Sequence, residues 1–165
     1  MGKNTHMDSI GDVPIILRRE IEALIVAPFL QAFAAELGNA KTTEIATKVI
    51  AELASKAGKD MAKVCGGNTL ALFHKTLPLF SQGGALEMET KERSDTCLKF
   101  NITWCAYAEM YRENGLSDIG SLLSCQRDVH LFKGYNPDFA FTRTQTIMEG
   151  GSYCDFCLKL NQEEP

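Results

Sequence analysis

A change in hydrophobic period constrains this chain more than any other feature. Up to about residue 84, apolar side chains recur every three or four residues, as one face of a helix requires. From Ala85 they begin to alternate, as a half-buried strand requires. Helices first and alternating runs afterwards describe an α+β protein rather than a parallel βαβ repeat.

In the helical half, Asp12 suits an N-cap and Pro14 a first turn, where its missing N–H is no loss. Ile21, Leu24, Ile25, Ala32, Phe33 and Leu37 follow at helical spacing until Gly38, with Pro28 inside the pattern and expected to kink or split the helix. A second helix is expected from about Thr43, carrying Ile45, Val49, Ile50, Leu53, Ala54 and Ala57 on one face and ending at Gly58. Asp60 then caps a third, with Met61, Val64, Cys65, Leu72 and Phe73, broken or closely approached at Gly66-Gly67. That glycine pair lacks the spacing and the Lys-Ser/Thr tail of a phosphate loop.

In the second half, Leu86, Met88 and Thr90 alternate with Glu87, Glu89 and Lys91. After Ser94-Asp95, Leu98, Phe100 and Ile102 alternate with Lys99, Asn101 and Thr103. The pattern predicts an antiparallel hairpin with one solvated face, to which Glu87 and Glu89 belong. Helix returns from Trp104 to Asn114, stopped by Gly115, and again from Leu122 to Phe132, ended by Gly134 and Asn136-Pro137. Alternation resumes at Phe139, Gly150-Gly151 turns the chain, and Phe156 to Leu160 forms a last strand. The expected fold is therefore N-terminal helices packed on a four-stranded antiparallel sheet of two hairpins, residues 85–103 and 138–161, with helices between them. One domain over residues 13–165, preceded by a tail over 1–12, suits the length.

Seventeen basic and twenty-one acidic side chains give a formal charge of −4, which argues for neither nucleic acid nor anionic membrane as a partner. No apolar stretch reaches the roughly 20 residues that cross a bilayer, and the N-terminus has no hydrophobic signal core. A cytoplasmic location follows as the expectation, with the six cysteines as thiols. The acceptor pattern Asn101-Ile102-Thr103 is then accidental.

His6, His74 and His130 are far apart and form no metal-binding spacing, and no serine sits in a nucleophile elbow. The cysteines carry more information. Cys105 opens the expected helix, with Glu109 and Arg112 following at i+4 and i+7 on the same face. Arg127 and Asp128 follow Cys125 closely enough to flank it on a helix, and Cys154-Asp155 comes directly after the Gly150-Gly151 turn. Any of these can also be a small buried hydrophobe, the role expected of Cys65 and Cys97. Cys154 and Cys157 form a lone CxxC without the second pair of a zinc ribbon, and three residues along a strand separate side chains onto opposite faces.

Five blocks bring these residues into one pattern: Asn101-Ile-Thr-Trp-Cys-Ala-Tyr-Ala-Glu-Met-Tyr, Leu123-Ser-Cys-Gln-Arg-Asp, Gly134-Tyr-Asn-Pro, Phe141-Thr-Arg-Thr-Gln-Thr-Ile-Met-Glu-Gly and Tyr153-Cys-Asp-Phe. Their order and spacing, over about residues 95 to 160, resemble the L-2-amino-thiazoline-4-carboxylic acid hydrolases. The resemblance implies a hydrolase acting on a cyclic amidine-like carbon–nitrogen group, opening a 2-aminothiazoline ring to N-carbamoyl-L-cysteine on a bacterial route to cysteine. It implies a small-molecule substrate and no cofactor, and leaves self-association open. The family pattern carries over onto Cys105, Cys125, Asp128, Gly150, Cys154 and Asp155.

On that reading Cys125, Cys154, Asp128 and Asp155 are the catalytic candidates, and Cys105, Glu109 and Arg143 the substrate-binding ones. A thiolate can add to the amidine-like carbon while a carboxylate holds the protonated amidine. An ordinary thiol is mostly protonated at neutral pH, so the nucleophile needs a nearby cation or helix N-terminus, and Arg127 and Arg112 are available. One departure is that Cys157 stands where the family commonly has a basic residue after Cys-Asp-Phe; if that residue holds the substrate carboxylate, the substrate here differs. Two other readings stand beside this one. The first is a metal or iron–sulfur site on Cys105, Cys125 and Cys154, completed by Asp128 or water. The second is a non-catalytic small-molecule binding module.

Overall fold

The computed structural model describes residues 12–161. Apart from Asp12, the tail expected over 1–12 lies outside them. Helices α1 (Ile15–Leu37) and α2 (Asn39–Val64) meet at Gly38, whose φ of 80° L side chains rarely adopt. The short helices α3 (Leu70–His74) and α4 (Leu77–Phe80) lead into β1 (Leu86–Arg93) and β2 (Cys97–Cys105). Then come α5 (Ala106–Glu113), α6 (Ser117–Gly120), a π turn over Ser121–Cys125, α7 (Arg127–Tyr135), β3 (Phe139–Thr142) and β4 (Cys154–Leu160). The sheet order is β1-β2-β4-β3 and every pairing is antiparallel. Both expected strand pairs are present, and β2–β4 joins them at the centre with Phe100 opposite Phe156.

Leu98, Phe100 and Ile102 of β2 and Cys154 and Leu158 of β4 share one core with Leu70 and Phe73 of α3 and Phe132 and Tyr135 of α7. Phe73 lies edge-on to Phe132, Tyr135 and Phe139, with ring centroids 5.3, 5.0 and 6.3 Å away, the offset geometry that aromatic quadrupoles favour. α7 packs on the sheet and α2 packs on α7. The two helices approach so closely that a Cβ on Gly58 would lie 2.1 Å from the Leu131 carbonyl oxygen, and one on Gly134 2.1 Å from that of Ser55.

This contact corrects the expected helix boundaries. Gly58 ends nothing; it lies within α2, kept small by the backbone of α7. Asp60 accordingly sits inside the C-terminal part of α2, paired with Lys56 and Lys63, rather than capping a third helix. The break falls at Gly66-Gly67, and Thr69 caps α3 by accepting from the Leu72 N–H at 3.2 Å. Nor does Pro28 split α1. It lies on an exposed side, where solvent can take the carbonyl its missing N–H leaves free. β2 runs on through Trp104 to Cys105, so α5 starts at Ala106, later than expected.

Candidate active site

The ends of several elements converge above the core-facing side of the sheet. Cys105 closes β2 and occupies the position before α5; Cys154 opens β4. Cys125 ends the π turn, Asp128 lies in the first turn of α7, and Arg143 follows β3 directly. All five line one cavity of about 120 Å³, walled on its apolar side by Phe100, Phe132 and Phe156. Such a volume suits a small metabolite rather than a drug-sized ligand. The π turn is local and purposeful: its wider winding carries Ser124 and Cys125 to the cavity wall. Arg19 from α1 and Arg127 from α7 complete the polar side.

Asp128 pairs with the Arg143 guanidinium, whose other terminal nitrogen donates to the Cys125 carbonyl at 3.1 Å. The same guanidinium lies 5.2 Å from the centre of the Phe156 ring and 5.6 Å from that of Phe141, a stacked placement that a lysine could not reproduce. Burial pushes the Asp128 carboxyl up to about 6, against the pull of Arg143, Arg127 and Arg19. Some 32% of its side-chain surface stays accessible, as befits a group facing a cavity. With three guanidinium groups and one carboxylate on the lining, the cavity is electropositive with a single anionic point. Glu22, outside the lining, offsets part of this charge by pairing with Arg19 and lying 3.9 Å from Arg127.

Burial dominates the thiols as well. It pushes Cys105 up to about 11, although backbone N–H groups of Ala108 and Tyr107 at the start of α5 pull the other way. Cys125 is pushed up further, by burial and then by the Asp128 charge, with Arg143 opposing. Cys154 is also raised by burial, but the Ile147 N–H donates to its sulfur at 3.2 Å and Arg143 again opposes. The resting thiols are therefore protonated at neutral pH. This differs from the expectation that nearby cations hold one of them as thiolate, because the aromatic wall removes the water that would solvate the anion.

The family model of L-2-amino-thiazoline-4-carboxylic acid hydrolase matches residues 18–158. The chain belongs to this family. No curated protein matches it. The family is one of hydrolases, and its match starts at Arg18, so it takes in α1 and α2, where the sequence blocks carry no resemblance.

The other candidate residues of this family member lie outside the cavity lining. Asp155 turns to the loop after β3, where its carboxylate accepts from Thr144 N–H, Thr144 Oγ1 and Gln145 N–H at 2.8 to 3.1 Å. Burial raises its pKa, but these hydrogen bonds outweigh it and the net shift is downward. Glu109 pairs with Arg112 at 2.6 Å on the surface, both side chains about half exposed. The helix starts one residue after Cys105, which rotates Glu109 away from the thiol.

Cys157 pairs with Lys99 and Thr142 across the sheet and lies outside the lining, whereas Cys154 lies within it. Strand alternation thus splits the CxxC, with Cys154 on the cavity lining and Cys157 off it. Among the described residues no group of three or more His, Cys, Asp or Glu side chains is arranged to hold a metal. Sequence reasoning missed Arg19, although two successive arginines in so apolar a helix were a visible signal.

Proposed function

We propose that this protein hydrolyses a small cyclic amidine bearing a carboxylate, of the 2-aminothiazoline-4-carboxylate kind, with Cys154 as nucleophile and Asp128 as its proton acceptor. The observation that supports this most is the joint placement of three thiols, one carboxylate and three guanidinium groups on a cavity of about 120 Å³. A protonated aminothiazoline carboxylate is a zwitterion, and the cavity offers a partner for each of its charges. Asp128 suits the amidinium, and Arg19 and Arg127 suit the carboxylate, leaving Arg143 to orient Asp128.

Cys154 is preferred over Cys125 because a backbone N–H already points at its sulfur, stabilising developing negative charge. In the proposed course, the Cys154 thiol gives its proton to Asp128 as sulfur adds to C2 of the ring. The ring C2–S bond then breaks, and the leaving sulfur takes a proton to become the substrate's own thiol. Water attacks the resulting isothiourea carbon and expels Cys154 as its thiol, leaving a carbamoyl group on the product. Asp155 is a positioning residue, fixing the turn that carries Arg143, and Cys105 packs the floor of the site.

The test is turnover of L-2-aminothiazoline-4-carboxylate by the purified protein, followed by release of a free thiol that the substrate lacks. Acid quenching during turnover is expected to trap an adduct of the whole substrate mass on Cys154. Full activity in Cys154→Ser excludes the nucleophile, and loss of activity with chelator favours the metal reading. Ligand binding without turnover across cyclic amidine carboxylates favours the binding module.

A further inference from the structure

We propose that the outer face of the α1–α2 hairpin is the interface of a homodimer, covered by the same two helices of a second copy of this chain. Within α1, Leu17, Ile21, Ile25, Phe29 and Phe33 form an unbroken i, i+4 row, and each is 47 to 59% exposed. On α2, Ile45, Val49 and Leu53 are also exposed, at 43 to 51%. What seats α1 on the rest of the protein is small by comparison: its fully buried residues are Ala23 and Ala27. So much exposed apolar surface on two successive helices is rare on a monomer.

Two arguments select a second copy as the occupant. The first is area. With Leu24 and Leu37, these side chains expose about 1,000 Å² per protomer, above the roughly 800 Å² per partner of a standard stable interface. The second is charge. The exposed polar residues beside the patch on α2 alternate in sign, Lys41 and Lys48 with Glu44 and Glu52. A helix lying on an anionic membrane instead concentrates Lys and Arg on its polar side. A sign-balanced rim is self-complementary when two identical faces meet about a two-fold axis.

The dimer also bears on the cavity, because α1 contributes Arg19 to its lining while only Ala23 and Ala27 of the helix are fully buried, with Val26 and Leu30 packed beside them. Covering the outer row fixes the helix that carries that arginine.

Sedimentation velocity between about 1 and 50 µM is expected to show a species of twice the protomer mass, with dissociation below about 1 µM. Phe29→Glu/Phe33→Glu is expected to sediment as a monomer with unchanged helical circular dichroism. Val64→Glu, at a residue 89% exposed but beyond the patch, leaves the dimer intact. If the double variant fails to fold, hydrogen exchange of the wild-type protein decides: α1 amides gain protection as concentration rises through the dissociation range. A monomeric wild type, a dimer that survives the double substitution, or α1 exchange independent of concentration each overturns the proposal. A monomer that binds anionic vesicles overturns it in favour of a membrane surface.

Discussion

The sheet with its α7 cover and the α1–α2 hairpin are both rich in large apolar side chains, and they use them in opposite ways. In the first region Phe73, Phe132, Tyr135, Phe139 and Leu158 are buried against one another. In the second, Ile21, Ile25, Phe29 and Phe33 stand outward while alanines face inward. The difference teaches that helical periodicity identifies an apolar stripe without saying which body covers it. It also separates function. The first region holds the thiols and Asp128, and the hairpin reaches the cavity through Ile15 and Arg19.

The largest expected effect tests whether chemistry is confined to the first region and to one face of its sheet. Cys154→Ser is expected to lower kcat by at least about 10³-fold, as removal of a nucleophile does. Cys157→Ser, on the opposite face, should stay within about 2-fold, since it alters neither charge nor cavity. Equal loss in both variants would break the assignment of faces.

Stability should divide the same way. Phe73→Ala is expected to cost about 3 to 5 kcal/mol in denaturant unfolding, because the ring is fully buried among aromatic neighbours. Phe33→Ala, measured where the protein is monomeric, should cost under about 1 kcal/mol, because half of that ring already meets water. Similar costs would mean that α1 packs on its own protomer more tightly than its buried alanines imply.

Asp128 sharpens the comparison through pH. Its folded pKa of about 6 lies above the ordinary value of 3.8, so the folded state binds the proton more tightly than the unfolded one. The stability this confers is complete below pH 3.8 and is lost as pH rises through about 6. Activity should move the opposite way, since a proton acceptor must be ionised: kcat/KM is expected to rise through an apparent pKa of about 6. Asp128→Asn should lower kcat/KM by about 30-fold or more and remove that limb. A smaller effect is expected from the hairpin's own contribution: Arg19→Gln should raise KM by about 10-fold with kcat nearly unchanged, the mark of a binding contact.

Much of this was legible in the sequence for physical reasons. Alternation at Leu98, Phe100 and Ile102 reports a strand with one buried face, and the structure places all three in the core. Local spacing could not reveal Gly58, which is small because the backbone of α7 passes it, some seventy residues along the chain. It likewise could not show that Glu109 turns away from Cys105, since a one-residue shift in where α5 begins rotates every side chain after it by about 100°. Burial was the other hidden quantity. Arg127 and Arg143 were visible near the cysteines, but the aromatic wall that keeps the thiols protonated is assembled from three separate elements.

The smallest expected effect concerns Asp155, whose place in the motif suggests chemistry and whose contacts suggest support. Its carboxylate accepts from two backbone N–H groups and one hydroxyl in the turn that follows Arg143. Asp155→Asn keeps one acceptor oxygen and turns an amide toward donors, so the turn loosens without the cavity changing shape. In a partly solvated turn, where water screens the charge and one acceptor oxygen remains, this should cost about 1 kcal/mol at pH 7, the value of an ordinary hydrogen bond. The folded pKa is depressed below 3.8, so that stability is present above the unfolded value and fades as pH falls through the folded one. Wild type and variant should therefore converge in stability in strong acid. Through Arg143 the loosening should reach Asp128 weakly, lowering kcat/KM by about 3-fold while the limb near pH 6 stays in place. A loss as large as that of Asp128→Asn, with the limb displaced, would make Asp155 a member of the reacting group and move the centre of the chemistry from the cavity to the turn.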